Sequence, residues 1–498
     1  MKLTRNSLFL LLLGLAALFL SGCLPQPESA PPLSVGTPVS APESQLSATP
    51  IPQRPKYNPG ELVDYTVISG DTLPVLAIRF NTSVEEIREA NPIIPPDATT
   101  LPPGMPMQMP IYYRALWGSP FQILPDSLFI NGPAQIDFDT SAFVDEHPGW
   151  LREYRDYAAG ANRTGAEIID YVALNFSVSP RVLLALLEYQ TGALTNASLP
   201  QHLDTRYPLG HESRSHRGLY LQLVWAANQL NHGYYSWRSG RLITLNLLDD
   251  TIEHPDPWQT AASVAFQYYF SLKHDGLEYQ HDTGPEGIAQ TYQDLFGDPW
   301  MNEQTHIPGS LLQPTMVLPF ERGKTWAYTG GPHTGWGTGQ PFAAIDFAPP
   351  SVATGCVNSD EWATAVADGV VARTDTGVVE LDLDGDGDPR TGWVVFYLHI
   401  AARDRPAEGT VIAQGAPIGH PSCEGGTSTG THIHIARKYN GEWVAAEGTL
   451  AFNLDGWIAH NGYKPYAGTL TRFSQTVTAS VNAAHQSFIT AEKLEGSE

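Results

Sequence analysis

The sequence predicts a multidomain α+β protein, because its hydrophobic pattern changes twice along the chain. Residues 61–112 have a strand–helix–helix–strand pattern, and residues 113–312 have mostly helical periodicity. Residues 313–470 carry short β-branched runs separated by Gly, Asp and Pro, which predicts an antiparallel β domain. The length of 498 residues also exceeds what one hydrophobic core supports. We therefore expect three folded domains, followed by a C-terminal tail over 471–498.

The charge of the chain limits its partners. A formal net charge of −24 would repel nucleic acid and anionic lipid surfaces. We therefore expect no nucleic-acid partner. The hydrophobic content of 42% is ordinary for globular domains with sizeable cores.

The first residues predict export from the cytoplasm. Lys2 and Arg5 precede the apolar run 8–20, which is too short to predict a membrane span. The run ends in LSGC at 20–23, which resembles the lipobox of bacterial lipoproteins. That resemblance implies a signal peptide over 1–22, lipidation of Cys23, and an extracytoplasmic chain anchored to the bacterial membrane or envelope through lipid alone. An ordinary signal peptide or an uncleaved anchor is the alternative.

The segment that follows, residues 23–60, is rich in Pro, Ser, Ala and Thr and has no hydrophobic period. It cannot bury enough apolar surface to offset its ordering entropy, which predicts an extended tether. Beyond Cys23 the chain has two cysteines, Cys356 and Cys423. In an oxidising compartment such a pair predicts a disulfide.

The 61–112 region has local signals for each of its elements. Asp71 or Thr72 could cap a helix that continues to Phe80, and Ser83 and Glu86 have capping-box spacing. This order of elements resembles a LysM domain over about 64–112. LysM domains bind glycans that contain N-acetylglucosamine, such as peptidoglycan and chitin, so the resemblance implies a peptidoglycan partner. A structural module without a ligand is the alternative. By the family pattern, the groove is lined by Gly70, Asp71, Thr72, Leu73, Asn91, Pro92 and Ile93.

The middle region predicts apolar helices. One begins at Ser179 and Pro180, which suit the N-cap and the first helical position, and another covers 218–227. These helices are similar to the core of lysozyme-like lytic transglycosylases. The glutamate that acts as general acid in that family is replaced by Gln190, and an amide cannot protonate a glycosidic oxygen. We therefore expect a degenerate lysozyme-like domain that binds glycan or acts as a spacer, with cleavage through Glu188 as the alternative.

Histidines and an aspartate in the β region predict a metal site. Residues 425–435 read GGTSTGTHIHI, and on a strand His432 and His434 point to the same face. His333 lies in a glycine-rich stretch, Asp346 in an apolar run, and His399 ends another apolar run. A catalytic zinc site commonly takes three protein ligands and leaves one position open, so the further histidines are available for acid/base work.

This arrangement resembles the lysostaphin-like and LytM-like zinc peptidases, which cut peptide bonds of peptidoglycan. Their usual pattern would place Phe342 at the first ligand position, but the beta-lytic and staphylolytic LasA-type branch has that histidine further upstream, as His333 is here. The match implies one zinc ion, the metal ligands His333, Asp346 and His434, and the catalytic histidines His399 and His432. Thr431 stands where the family usually has proline. Tyr397 and Trp457 are candidates for a tyrosine that assists in some relatives.

An acidic insertion offers a second metal. Asp382, Asp384 and Asp386 alternate with Leu and Gly residues, as at the start of a calcium loop, although Trp393 stands at the position of the final glutamate. Calcium and a solvated hairpin tip both fit this pattern.

The sequence as a whole predicts a lipid-anchored zinc metalloendopeptidase of the cell wall that LysM directs to peptidoglycan. The alternative is a lipoprotein without catalytic activity that binds peptidoglycan or activates another hydrolase.

Overall fold

The structure is a computed structural model that describes residues 54–351 and 353–493. The predicted signal peptide, Cys23 and most of the predicted tether lie outside these residues. Within the described ranges, no helix combines the length and the apolar character that a membrane crossing requires. All described residues belong to one compact unit.

The LysM-like module has the predicted order of elements. Its elements are β1 (Glu61–Thr66), α1 (Leu73–Phe80), α2 (Val84–Ala90) and β2 (Pro106–Ile111), and the two strands pair antiparallel. Ser83 and Glu86 form the predicted capping box. Thr72 occupies the N-cap position of α1 without a capping bond from its side chain, and Asp71 instead accepts hydrogen bonds from the Ile68 amide and from Arg79.

The middle region is mainly helical, as predicted. Its helices are α3 (Asp126–Phe129), α4 (Thr140–Asp145), α5 (Trp150–Glu153), α6 (Gly165–Phe176), α7 (Pro180–Thr191), α8 (Leu219–Arg238), α9 (Ala261–Ser271), α10 (Gly276–Asp282) and α11 (Ile288–Phe296). Short hairpins are formed by β3 (Arg155–Ala158) with β4 (Ala161–Thr164), and by β5 (Leu245–Asn246) with β6 (Ile252–Glu253). Helix α7 begins as its sequence predicts, because the Ser179 hydroxyl accepts a hydrogen bond from the Val182 amide and Pro180 opens the first turn.

The third region is built on an antiparallel sheet. Among the described residues this sheet has nine strands: β7 (Thr325–Thr334), β8 (Phe342–Ala348), β10 (Gly369–Asp375), β11 (Val378–Asp382), β12 (Trp393–Leu398), β13 (Val411–Ile412), β15 (Ile433–Tyr439), β16 (Glu442–Val444) and β21 (Phe488–Thr490). Their order in the sheet is β13-β10-β11-β12-β15-β8-β7-β21, with β16 paired to β15. Two smaller sheets join β9 (Ala363–Thr364) to β14 (Pro417–Gly419), and β17 (Asn453–Leu454), β18 (Trp457–Asn461), β19 (Gly468–Arg472) and β20 (Gln475–Thr478) in sequence order.

The prediction that residues 471–498 form a tail outside the domain is wrong for the described part of this range. The boundary at 470 falls inside β19, and β21 pairs with β7 as an edge strand of the main sheet. Ile489 and Ala491 are buried in the core because alternate residues of β21 point inward. The domain therefore extends well beyond residue 470.

The main sheet is buried on both faces, and this determines where a site can form. Val395 and Tyr397 of β12 pack into a core shared with the smaller sheets. Phe396 and Leu398 belong to the core of the helical region on the opposite face. Ile433 and Ile435 of β15 point into the core shared with the smaller sheets. Since side chains alternate along a strand, His434 between them points to the opposite face, toward the helical region.

Candidate metal centre

Three neighbouring strands bring His333, Asp346 and His434 together, and we call these three residues the metal centre. In the pairing of β8 with β15, Asp346 lies directly opposite His434. His333 comes from β7, where the register with β8 shifts on both sides of it. Such irregularities redirect a side chain. Strand β7 needs a glycine at position 330, because a Cβ atom there would lie 2.2 Å from the Asp346 carboxylate.

Two ring nitrogens and one carboxylate oxygen of these side chains face one another through their lone pairs. His333 Nε2 lies 3.0 Å from His434 Nδ1 and 3.2 Å from Asp346 Oδ1, and His434 Nδ1 lies 3.3 Å from the same oxygen. The outer nitrogens donate to backbone carbonyls: His333 Nδ1 to Gly331 at 2.8 Å and His434 Nε2 to Gly335 at 3.0 Å. These bonds fix the tautomers and leave Nε2 of His333 and Nδ1 of His434 unprotonated.

This arrangement fits a metal ion. Two nitrogen lone pairs and a carboxylate oxygen face one another in a buried space, and Asp346 Oδ1 has no hydrogen-bond partner. A buried polar group without a partner is costly, and a cation would satisfy all three ligand atoms. Imidazole and carboxylate are ligands that zinc accepts.

The charge state of the centre also suits a cation. Burial acts to raise the pKa of Asp346, but the positive charge and hydrogen bonds that His333, His434 and His432 supply when they are protonated hold that pKa well below its usual range. Burial lowers the pKa of His434. The centre therefore presents an ionised carboxylate and, in His434, an imidazole that favours its neutral form.

The other two predicted histidines stand beside the centre. His399 follows β12 with a φ of 66° and donates from Nδ1 to the Glu424 carbonyl at 2.9 Å. His432 Nδ1 bonds the Gly430 carbonyl at 2.7 Å, and its Nε2 lies 3.9 Å from Asp346 Oδ2. The two rings are 4.5 Å apart between centroids. Burial, with added repulsion from His432 and His434, lowers the pKa of His399 to about 4.

A cleft of about 740 Å³ opens onto these residues. One wall is the glycine- and threonine-rich segment 426–431, and the opposite wall comes from the helical region through Phe176, Tyr220 and Val224. A neighbouring cavity of about 1250 Å³ shares the 429–431 edge. The site therefore lies where the β domain and the helical region meet.

Tyr466 is a cleft residue that the sequence did not single out. It lines the cleft and stacks on His333 with 4.0 Å between ring centroids. The two aromatic candidates considered from sequence do not line the cleft. The Tyr397 hydroxyl accepts the Val366 amide inside the core, and Trp457 is buried in the same core. A tyrosine after Lys-Pro in a loop gives no distinct sequence signal.

The disulfide and Thr431 support the segment before His432. Cys356 and Cys423 are joined, with Cα atoms 5.8 Å apart. The Thr431 amide donates to the Gly355 carbonyl at 3.1 Å, and its hydroxyl bonds the backbone of Val357. Proline, usual at this position in the family, lacks the amide hydrogen for the first bond.

Glu188, the candidate general acid for glycan cleavage in the helical region, is held by local hydrogen bonds. Both carboxylate oxygens of Glu188 accept hydrogen bonds after α7, from the Leu194 amide and the Thr195 hydroxyl, each at 2.7 Å. Gln190 lies near the Tyr269 hydroxyl and the Lys273 amine. The Glu188 carboxylate thus stabilises the loop that follows α7.

The LysM loops lie against another part of the same chain, residues 307–311, which we call the strap. The Ser69 hydroxyl and the Ile307 backbone exchange two hydrogen bonds. The Thr100 hydroxyl donates to the Pro308 carbonyl at 2.7 Å and accepts from the Leu311 amide at 3.0 Å, and Thr99 donates to the Leu311 carbonyl. Arg238 of α8 bonds the Ser69 carbonyl.

The predicted groove residues differ in exposure. Asp71, Leu73 and Asn91 are buried, whereas Ile93 is 81% exposed. A Cβ atom on Gly70 would lie 2.5 Å from the Arg238 guanidinium. The structure therefore brings the 70–73 turn against the helical region and leaves the tip of the other loop in solvent.

The three aspartates of the acidic insertion lie close together. Carboxylate oxygens of Asp382, Asp384 and Asp386 lie within 4.8 Å of one another. Backbone amides of the loop already bind each of these side chains. Burial raises the pKa of Asp382 to about 6.

Comparisons with known proteins match different parts of the chain. Residues 122–309 match the family model "LasA, N-terminal domain", and residues 65–110 match the LysM domain. Protease LasA of Pseudomonas aeruginosa is 26% identical over 345 residues, which cover 65% of this chain and 75% of that protein. The beta-lytic metalloendopeptidase of Lysobacter enzymogenes is 31% identical over 150 residues, which cover 28% of this chain and 76% of that protein. Among solved structures, "A Novel M23 Metalloprotease Pseudoalterin from Deep-sea" is 24% identical, with a TM-score of 0.29, and covers 34% of this chain and 96% of that one.

Fold and site together define a metallopeptidase. A buried histidine–aspartate–histidine centre with two adjacent histidines lies on an antiparallel sheet. The chain belongs to the family of LasA and the beta-lytic metalloendopeptidases, and it is a zinc metalloendopeptidase with an added LysM domain.

Proposed function

We propose that this enzyme hydrolyses peptide bonds in the stems or cross-bridges of peptidoglycan. The observation that carries the proposal is the meeting of three lone pairs within 3.3 Å beside two further histidines in one cleft. The LysM domain adds a module of a type that binds cell-wall glycan. A relative is named a beta-lytic metalloendopeptidase, which accords with cell-wall lysis.

In this proposal His333 Nε2, Asp346 Oδ1 and His434 Nδ1 hold the zinc ion. The bound zinc supplies a Lewis acid that polarises the scissile carbonyl and acidifies a water molecule. The carbonyls of Gly331 and Gly335 hold the two imidazoles in the tautomers that ligation requires.

His399 and His432 are the proposed catalytic histidines. Each bonds a backbone carbonyl through Nδ1, so the neutral ring keeps Nε2 as an acceptor. One such nitrogen takes the proton of the attacking water and returns it to the leaving amine, while the other stabilises the developing oxyanion when protonated. Their separation of 4.5 Å between centroids allows both to reach one scissile bond.

Cell-wall targeting is the second part of the proposal. Lipidation of Cys23 would hold the enzyme at the bacterial envelope, and the tether would let the folded part reach the wall. The LysM loops at 70–73 and 91–93 would then concentrate the enzyme on glycan strands. The strap bonds Ser69 and Thr100, and Arg238 packs against Gly70, so we infer that a glycan reaches the 70–73 turn only when these contacts open.

Calcium at the acidic insertion stays a prediction. The convergence of Asp382, Asp384 and Asp386 supports it, and the backbone amides that already bind these side chains compete with it. Isothermal titration with calcium would decide, since a hairpin tip alone gives no saturable heat.

The alternative is a non-catalytic lipoprotein that binds peptidoglycan or activates another hydrolase. One observation favours it: the helical region packs on the sheet face that carries the cleft. Such packing could restrict the entry of a branched polymer.

The test compares wild type with His434→Ala, using zinc content by elemental analysis and the release of new amino termini from purified peptidoglycan. His460→Ala is the matched control, since His460 bonds Thr471 outside the cleft. We expect zinc and peptide release in wild type and in the control, and neither in His434→Ala. Zinc-loaded wild type that releases no amino termini would favour the alternative. New reducing ends would point instead to glycan cleavage through Glu188.

A further inference from the structure

The loop between β7 and β8, residues 335–341, supplies the carbonyl that fixes His434. The Gly335 oxygen accepts the His434 Nε2 hydrogen at 3.0 Å, and this bond leaves Nδ1 free to face Asp346. The position of the loop therefore sets the tautomer and orientation of one residue of the metal centre.

The tip of this loop is anchored outside its own domain. Asn228 of α8 is buried, and its Oδ1 accepts the Thr338 amide hydrogen at 2.7 Å. In the described part of the chain, this is the hydrogen bond that connects residues 337–339 to the rest of the molecule. Gly337, with a φ of +78°, sits so close that a Cβ atom would lie 2.4 Å from the same oxygen.

A second contact from α8 supports the base of the loop. The Tyr235 hydroxyl accepts the Trp443 amide hydrogen at 3.1 Å. The Trp443 ring in turn backs Gly335, where a Cβ atom would meet it at 2.9 Å. Helix α8 thus holds the loop at both its tip and its base.

We propose that Asn228 is a positioning residue for the metal centre, so that the helical region contributes to zinc affinity across the domain boundary. Without its acceptor, a glycine-rich tip regains conformational freedom, and the Gly335 carbonyl is then held under His434 only by the contacts at the base of the loop. This inference rests on the proposed metal-binding role of His434, but Asn228 itself touches neither the cleft nor the metal centre.

The variants Asn228→Ala and Asn228→Asp test this role in the full chain. The aspartate is close in shape and keeps an oxygen that accepts the Thr338 amide. Gln222→Ala is the matched control, since Gln222 is a buried amide of the same helix that bonds residues 209–216 rather than the loop. Two measurements are made: zinc affinity by chelator competition, and hydrogen exchange of the 334–341 peptide in metal-free protein.

We expect Asn228→Ala to bind zinc roughly tenfold more weakly, at the lower end of effects for residues that orient metal ligands, and to exchange faster at 334–341. Asn228→Asp should stay near wild type in both measurements, and so should Gln222→Ala. Wild-type affinity and exchange in Asn228→Ala would overturn the inference, as would an equal loss in Gln222→Ala. If wild type itself binds no zinc, the proposed function fails, and unchanged exchange in Asn228→Ala would then refute the anchoring role separately.

Discussion

The metal centre and the LysM loops differ in what their polar groups bind. In the metal centre, three lone pairs face one another in the tautomers that the bonds to the Gly331 and Gly335 carbonyls favour. In the LysM loops, the hydroxyl groups already exchange hydrogen bonds with the strap. A buried polar group without a partner costs free energy, whereas a satisfied group does not. The first region is therefore complete only with a ligand, and the second is complete without one.

This contrast separates two kinds of motif match. A ligand set identified from sequence gains support when the fold brings its atoms to one point that nothing else fills. A binding loop identified from sequence is less able to bind its ligand when other residues of the same chain already bond its polar groups.

The largest effect is expected from Asp346→Asn. The amide removes the negative charge of the metal centre, and its NH₂ group would donate to the facing nitrogens and fill the space with a proton. We expect loss of bound zinc and a fall of peptidoglycan hydrolysis to the level of chelator-treated wild type. Elemental analysis and release of amino termini measure both. Full zinc content in this variant would mean that the metal lies elsewhere.

The next effect is expected from His399→Ala. His399 is outside the metal centre, so zinc content should equal that of wild type. The loss of a proton-transfer group should lower the rate of peptide release by roughly 10²- to 10⁴-fold. Zinc content and rate are measured on the same preparation. If the variant lost zinc together with activity, His399 would be a zinc ligand rather than an acid/base group.

The outline of the β domain could be predicted because its signals are local. β-branched runs and turn residues specify strands, and the family pattern selects His333 over the nearer Phe342. The pairing of β7 with β8 has three register shifts, two of which flank His333, and a sequence pattern does not reveal such shifts. Tyr466 was missed for a related reason, since its position follows from the pairing of Gly331 with a distant loop.

Contacts between domains could not be predicted, because they join residues far apart in sequence. The strap is more than 200 residues from the LysM hydroxyls that it bonds. Glu442 is an example: it carries a charge, yet it is buried and bonds Arg238 at 3.0 Å and His306 at 2.7 Å. Periodicity predicts which face of an element is buried, and it does not identify the surface that buries it.

Glu442→Gln tests the contact between the β domain and the helical region. Burial acts to raise the pKa of Glu442, but Arg238 and His306 hold it at about 2, below the ordinary value of 4.5. The carboxylate should therefore add a few kcal/mol to stability above about pH 4.5. That contribution should fall as the pH drops from about 4.5 to 2, because the unfolded chain takes up the proton first.

Urea unfolding of wild type and Glu442→Gln between pH 7 and pH 3 measures this difference. We expect a constant gap in the free energy of unfolding from pH 7 to pH 5, narrowing below pH 4.5. Glu408→Gln provides a control, since Glu408 is exposed and bonds only the Thr374 amide in the described structure. A gap that widens in acid would have the wrong sign for a carboxylate stabilised in its ionised form.

The smallest effect concerns the strap. Thr100→Ala removes two hydrogen bonds to the strap, each worth about 0.5–1.5 kcal/mol. If the LysM loops bind glycan only when the strap has left, the variant should bind oligomers of N-acetylglucosamine several-fold more tightly than wild type, because a larger fraction of molecules is competent.

Thr82→Ala is the control for this experiment, since Thr82 belongs to the same module but bonds Glu86. Titration calorimetry gives the affinities, and hydrogen exchange over 306–312 reports release of the strap. Faster exchange without tighter binding would show that the loops are free in the variant and still bind no glycan. The LysM domain would then be a docking module of this enzyme, and the contrast with the metal centre would become one between a binding site and a structural contact.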